Sequence, residues 1–312
     1  MNYRLSREVE DIVSKGVFIT GCTRSGTTMM GQLVSSLPNI EYVEEPPMIR
    51  ILLSLIHKLP KKIFKFFFEG YIFEEHMMFT IPGRKINLNK FDQSSIYNSK
   101  SVNEIEKRLK KSYRRLEIFP KALKSIPALK LPEVSSNLKL LFKYYPEMRV
   151  IIMLRNPESV ISSMIEKEWY TNKALYGSHG QWLFLDEKIS NKGNTPDWLK
   201  KKEVSKFYSM SEIERGIMYY IYEYQNIINL GKNILSKKNV IVLDYNKFVS
   251  QPDMYFKKIS TKFSLEFGEK TQLILKKVKE PKKNRNLNWE LVDKKIKYNL
   301  FKLYEKCLKF SI

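Results

Sequence analysis

The sequence predicts an α/β protein with a mostly parallel central sheet flanked by helices and a helical cap inserted into it. Three observations carry that expectation. A β-branched apolar run, Val17, Phe18 and Ile19, stops at Gly21, and after a turn apolar residues recur at helical spacing as Met29, Met30, Leu33, Val34 and Leu37. The same order of strand, turn and helix returns at Arg149–Leu154 and the segment behind it. Elsewhere short apolar runs alternate with helical patterns, as strands joined by crossover helices do. At 312 residues the chain can bury one sizeable core. Residues 1–312 read as a single domain, with a cap at about 48–125 and a lid loop at about 170–205.

Each element has its own signal. After the first helix, Asn39–Val43 reads as a short strand ending in Glu44-Glu45-Pro46-Pro47, where the prolines stop regular structure. Two carboxylates are thereby left at a strand's C-terminal end, the edge at which parallel α/β sheets bind ligands. From Met48 to about Ser125 the pattern is helical, with a loop around Ile81–Ser95. This is long for a crossover and reads as the cap. Pro127–Leu131 looks like a buried strand carrying Lys130, Ser135–Tyr145 like a helix, and Arg149–Leu154 like a core strand. Pro157 suits the first position of a helix running to Glu168. Tyr170–Lys202, rich in Gly, Asn and aromatic residues, reads as a loop or lid. Ser211–Leu235 reads as one long amphipathic helix, Val240–Leu243 as a strand and Pro252–Phe263 as a helix. Lys276–Asn286 is a basic loop, and Trp289–Phe310 reads as a single closing helix.

Bulk properties narrow the partners. The balance of 55 Lys+Arg against 33 Asp+Glu gives +22, which fits acidic ligands, anionic surfaces or nucleic acid, or else a lysine-rich composition with no ligand behind it. No stripe of interleaved aromatic and basic residues stands out, so nucleic acid is not the expected partner. Cys22 and Cys307 make no disulfide framework and the N-terminal stretch has no apolar signal core, so the expected location is the cytoplasm. Ile49–Phe68 is broken by Arg50, His57, Lys58, Pro60, Lys61, Lys62 and Lys65 and cannot comfortably span a bilayer. Two readings stay open for it: helices packed into the cap, or peripheral contact with an anionic membrane. His57, His76 and His179 show no metal-ligand spacing, and no metal is expected.

The chemistry concentrates in the first turn, Cys22-Thr23-Arg24-Ser25-Gly26. A helix start leaves backbone N–H groups without partners and carries roughly +0.5 charge, so this turn is an anion cradle. The spacing of Gly21, Gly26 and Thr28 almost spells a Walker A loop, but Thr27 stands where the lysine belongs and the cation has moved to Arg24. A kinase or ATPase needs that lysine on its terminal phosphates, so nucleotide hydrolysis loses ground. A Cys-x5-Arg phosphatase loop also fails, because Thr28 occupies the arginine position.

ITGCTRSGTTMM at Ile19–Met30 and VIIMLRNPESVISSM at Val150–Met164 together resemble the two nucleotide-binding signatures of sulfotransferases that use 3′-phosphoadenosine 5′-phosphosulfate (PAPS). The likeness is closest to the branch of tyrosylprotein and bacterial carbohydrate sulfotransferases, in which RSGTT is followed by a helix, a turn and a glutamate pair. Here Leu37-Pro38 is the turn and Glu44-Glu45 the pair. LDYNKFVSQP at Leu243–Pro252 and Trp289 with the terminal helix also resemble family blocks. The resemblance implies a P-loop-NTPase-like fold in which Thr23, Arg24, Ser25, Gly26, Thr27 and Thr28 hold the 5′-phosphosulfate, and Arg155 and Ser163 hold the 3′-phosphate. It further implies Glu45 as general base, Lys130 near the bridging oxygen, and Lys283, Asn284 and Arg285 as a basic loop closing over the nucleotide. One departure is the aromatic that often follows an arginine in the long helix, which is replaced around Gly216–Tyr220.

The chemistry supports those roles. Sulfuryl transfer, like phosphoryl transfer, passes through a loose in-line transition state in which positioning and charge stabilisation do most of the work. Arg24, Lys130 and the helix amides can neutralise charge on the leaving phosphate, and Glu45 can take the acceptor proton. The expected acceptor is a hydroxyl of a carbohydrate or glycolipid, with peptidyl tyrosine as the alternative. A P-loop kinase with a displaced cation and a non-enzymatic basic anion-binding protein are the readings from other classes.

Overall fold

The computed structural model describes residues 3–110, 113–176, 195–196, 198–278 and 287–312. Lys283, Asn284, Arg285 and His179 lie outside the described residues, as does most of the expected lid.

Five strands form one sheet: β1 (Val17–Gly21), β2 (Ile40–Glu44), β3 (Ile126–Lys130), β4 (Arg149–Leu154) and β5 (Val240–Asp244), in the order β2-β3-β1-β4-β5. Every pairing is parallel. Strands buried on both faces need apolar residues at successive positions, and β1 supplies them. Val17 and Ile19 pack into one core with Met30, Leu33 and Val34, while Phe18 packs into the other with Val9, Phe64 and Phe68. The principal helices around the sheet are α1 (Arg7–Ser14), α2 (Thr27–Ser35), α3 (Pro47–Ser54), α4 (Lys61–Gly70), α5 (Val102–Lys110), α6 (Arg115–Leu123), α7 (Leu138–Tyr144), α8 (Pro157–Glu166), α9 (Glu212–Asn229), α10 (Pro252–Phe263) and α11 (Lys294–Leu308). The sheet thus lies between helical layers, with a strand, a glycine turn and α2 at its centre.

Parallel register decides what meets at the sheet's C-terminal edge. Glu44 stands opposite Lys130, Lys130 opposite Ile19, Gly21 opposite Met153 and Leu154 opposite Asp244. The turns leaving all five strands therefore open on one edge. Between β2 and β3 the chain folds as α3, α4, a π-helical turn Tyr71–Met77, α5 and α6, and residues 81–95 hold neither helix nor strand. Ile49, Leu52, Leu53, Phe64 and Phe68 are buried in the core, while Met48 and Phe67 are exposed. No helix among the described residues is long and apolar enough to cross a membrane.

Several boundaries differ from expectation for local reasons. β2 runs through Glu44, and the turn begins at Glu45. The helix expected over Ser211–Leu235 stops at Asn229, because Gly231 takes φ +72° and a short helix restarts at Lys232. Leu287–Glu290 and α11 are separate helices, since Asp293 caps α11 by accepting from the N–H groups of Lys295 and Ile296. Ser135–Asn137 is a 3₁₀ turn ahead of α7. The N-terminal helix α1 was not foreseen; Ser6 caps it and Val9 and Val13 bury its apolar face.

Candidate active site

Two turns, after β1 and after β4, and one buried lysine build the site. The loop after β1 is bounded by Gly21 at φ +135° and Gly26 at φ +89°. A Cβ on Gly21 would strike the Met153 carbonyl, and one on Gly26 would strike the Tyr245 ring, so both positions require glycine. Arg24 also takes a left-handed conformation, φ +61°, a costly backbone for a residue with a Cβ and one that concentrates at functional sites. Gly26 is the N-cap of α2 and brings no side chain to satisfy its amides. Those amides, the Ser25 and Thr27 side chains and the half-buried Thr28 surround the helix start. Ser25 Oγ is buried without a hydrogen-bond partner among the described residues, as an anion-binding hydroxyl would be.

The second turn reaches the first. Arg155 leaves β4 and donates from its guanidinium to the Arg24 carbonyl oxygen at 2.9 Å. Its Nε is buried with no partner among the described residues. The guanidinium lies 4.5 Å from the centre of the Tyr245 ring. Burial, followed by the nearby Arg24, pulls the Arg155 pKa below its ordinary value, with Tyr245 acting in the opposite direction. Ser163, buried on α8, accepts a hydrogen bond from Arg24 Nε at 2.9 Å. Arg24 also lies 5.7 Å from the Trp169 ring centre. Arg24, Arg155 and Ser163 thus form one connected group spanning the sequence between the two turns.

The carboxylate end stands two strands away. Lys130 Nζ, almost wholly buried, pairs with Glu44 at 2.9 Å and with Glu45 in a short contact. The Glu45 amide donates to the Lys130 carbonyl at 2.8 Å, and φ +45° at Glu45 turns the chain off β2. Two carboxylates share one ammonium there. The Glu44 side chain is 18% exposed and that of Glu45 is 49% exposed, so Glu45 is the one open to solvent. Glu44 Oε2 is buried with no partner among the described residues. Lys130, expected near the bridging oxygen, pairs here with both glutamates.

Sequence reasoning missed the aromatic supports. Tyr219, Tyr220 and Tyr224 of α9 bring their hydroxyls to the backbone of both turns. Tyr245 fills the space under Gly26, held there because Asp244 caps its short helix and accepts from Tyr304 of α11. The tyrosine-rich run from Tyr219 to Tyr224 was the visible signal, since buried phenols need partners. Cys22 is fully buried, and burial pushes its thiol well up, which makes it a poor nucleophile. Among the described residues no cluster of His, Cys, Asp or Glu is arranged to hold a metal ion. His76 is buried with Nε2 3.2 Å from the Glu41 carbonyl, a structural contact.

Residues 16–183 match the model described as the sulfotransferase family. Among solved structures, the sulfotransferase domain from the Synechococcus PCC 7002 olefin synthase is 14% identical over 93% of each chain, with a TM-score of 0.45. A Mycobacterium avium sulfotransferase is 13% identical, covering 97% of this chain and 78% of its own, with a TM-score of 0.47. A Mycobacterium tuberculosis sulfotransferase is likewise 13% identical, covering 99% and 80%, at 0.44. No curated protein matches the sequence significantly. The family match spans more than half of the chain and takes in the β1 turn, the glutamate pair, Lys130, Arg155 and Ser163. This chain belongs to the sulfotransferase family.

Proposed function

We propose that the protein transfers a sulfuryl group from PAPS to a hydroxyl of a carbohydrate or glycolipid, with residues 1–312 acting as a single domain. The observation that carries this reading is Arg155: a half-buried guanidinium, anchored on the Arg24 carbonyl, whose buried Nε has no partner among the described residues. A second anion-binding group at that place suits a donor with a 3′-phosphate as well as a 5′-phosphosulfate, and an arginine fork suits a phosphate. In this reading Thr23–Thr28 and the α2 amides hold the 5′ end, Arg155 and Ser163 take the 3′-phosphate, and Lys283 and Arg285 close over it. Arg24 offsets charge developing on the leaving phosphate.

Glu45 is the base. As the acceptor oxygen bonds to sulfur, the sulfur–oxygen bond to the donor phosphate breaks and the acceptor proton passes to the Glu45 carboxylate. Lys130, at the end of β3, anchors Glu44 and Glu45 at the end of β2, so the base is held in place by an ion pair to a buried ammonium. The helices of about 48–125 form the cap beside β2, and about 170–205 the lid. Peptidyl tyrosine is the alternative acceptor.

Calorimetry with adenosine 3′,5′-bisphosphate tests the donor. Binding without magnesium is expected, weakened by about a hundredfold or more in Arg155→Ala, since a buried charge-assisted contact is lost. Equal affinity for ATP, or a magnesium requirement, would sink the reading.

A further inference from the structure

The two donor turns leave adjacent strands, β1 and β4, and one helix touches the backbone of both. From α9, Tyr219 accepts a hydrogen bond from the Thr23 N–H at 3.0 Å. Tyr224 accepts from the Arg155 N–H at 2.7 Å and donates to the Arg155 carbonyl, to which Tyr220 also donates at 3.0 Å. Tyr220 and Tyr224, one helical turn apart, stack with ring centres 4.1 Å apart, so their hydroxyls arrive together. β4 ends at Leu154, so the sheet no longer holds Arg155 and the phenols take its N–H and carbonyl instead. All three tyrosines are fully buried, and burial first of all pushes their pKa values well up, so the hydroxyls stay protonated.

We propose that Tyr219, Tyr220 and Tyr224 are positioning residues of the transferase, a clamp that fixes the Arg155 turn against the first loop. The proposal rests on the donor reading above. Each turn carries a buried polar atom without a partner among the described residues, Ser25 Oγ in the first and Arg155 Nε in the second. Binding one nucleotide through both ends requires their separation to match the ligand to a fraction of an ångström. The side-chain bridge from Arg155 to the Arg24 carbonyl fixes only the guanidinium, whereas the phenols fix the backbone from which it extends. Packing alone would be met by phenylalanine. The hydroxyls are what the clamp adds.

The test compares two probes on the full chain, adenosine 3′,5′-bisphosphate and adenosine 5′-monophosphate, by calorimetry. Tyr224→Phe keeps the stacked ring and removes the hydroxyl. It is expected to weaken the bisphosphate by about tenfold or more, as loss of paired hydrogen bonds would, while leaving the monophosphate unchanged. Tyr219→Phe is expected to weaken both probes alike, because it holds the loop under the shared 5′-phosphate. Tyr220→Phe, which removes one hydrogen bond to the Arg155 carbonyl, gives a smaller effect of the same kind as Tyr224→Phe. Equal weakening of both probes by Tyr224→Phe would reveal general destabilisation and overturn the clamp. So would wild-type affinities in Tyr220→Phe and Tyr224→Phe alike. The donor reading fails separately, through a wild-type chain that binds the two probes equally and ignores Arg155→Ala.

Discussion

Glu45 leaves β2 at φ +45°, a conformation that costs a residue with a Cβ roughly 1–2 kcal/mol. Its amide bonded to the Lys130 carbonyl and its carboxylate on Lys130 Nζ offset that strain. The same lysine holds Glu44, and the two carboxylates differ in what surrounds them: Glu44 is mostly enclosed and Glu45 half open. An acceptor hydroxyl can reach the open one. Glu45→Gln is therefore expected to bind adenosine 3′,5′-bisphosphate within about twofold of wild type and to lower sulfate transfer by about 10²–10⁴-fold. Transfer of labelled sulfate from PAPS across a panel of saccharides measures it. Wild-type turnover in Glu45→Gln with loss in Glu44→Gln would move the base to Glu44. The spacing from Arg24 to the glutamates was legible in the sequence because it lies within one strand–helix–strand unit. The sharing of Lys130 was not, since it depends on β2 pairing with β3 across the inserted helices.

At the scale of elements, α9 matters most, and its start was written in the sequence. Ser211 and Glu214 form a capping box: the serine accepts from the Glu214 amide and the glutamate accepts from the Ser211 amide. Because the tyrosines that reach both turns follow within a few turns of this cap, the helix start also sets their approach. Ser211→Ala is expected to lower unfolding stability by about 1 kcal/mol, read as a shift in urea midpoint at unchanged slope. No shift would show that tertiary packing alone fixes the helix start. Its end was misread because Gly231 lies within a continuing apolar pattern. Only the left-handed backbone at that glycine shows where the helix stops. The tyrosine hydroxyls were likewise unreadable as ligands of the turns, since contacts between Thr23 and Tyr219 span most of the fold.

Across the whole molecule, the edge beyond β2 is locked by buried charge. Arg108 of α5 binds Glu41 bidentately at 2.8 and 3.0 Å, Thr80 donates to the same carboxylate, and His76 lies against the Glu41 carbonyl. Burial foremost holds His76 below its ordinary value of 6.5, with Glu41 opposing and Lys85 and Arg108 assisting. The unfolded chain therefore takes up a proton that the folded chain resists. Stability from this group is intact above about pH 6.5 and falls as pH drops toward the lower native value, at up to about 1.4 kcal/mol per pH unit. Urea midpoints at about pH 7.5 and about pH 5.5 should drop more in wild type than in His76→Asn. Equal drops would assign acid sensitivity to the carboxylates alone.

The sequence by itself determined the parallel α/β class, the glycine-bounded turn after the first strand and the displaced cation at Arg24. These are local: periodicity, turn chemistry and helix starts act over a few residues. The tertiary structure decided the strand order, the placement of Lys130 between two glutamates, and the tyrosine supports from α9 and Tyr245. Those depend on which strands become neighbours and on where buried phenols find partners, and neither is fixed until distant segments pack.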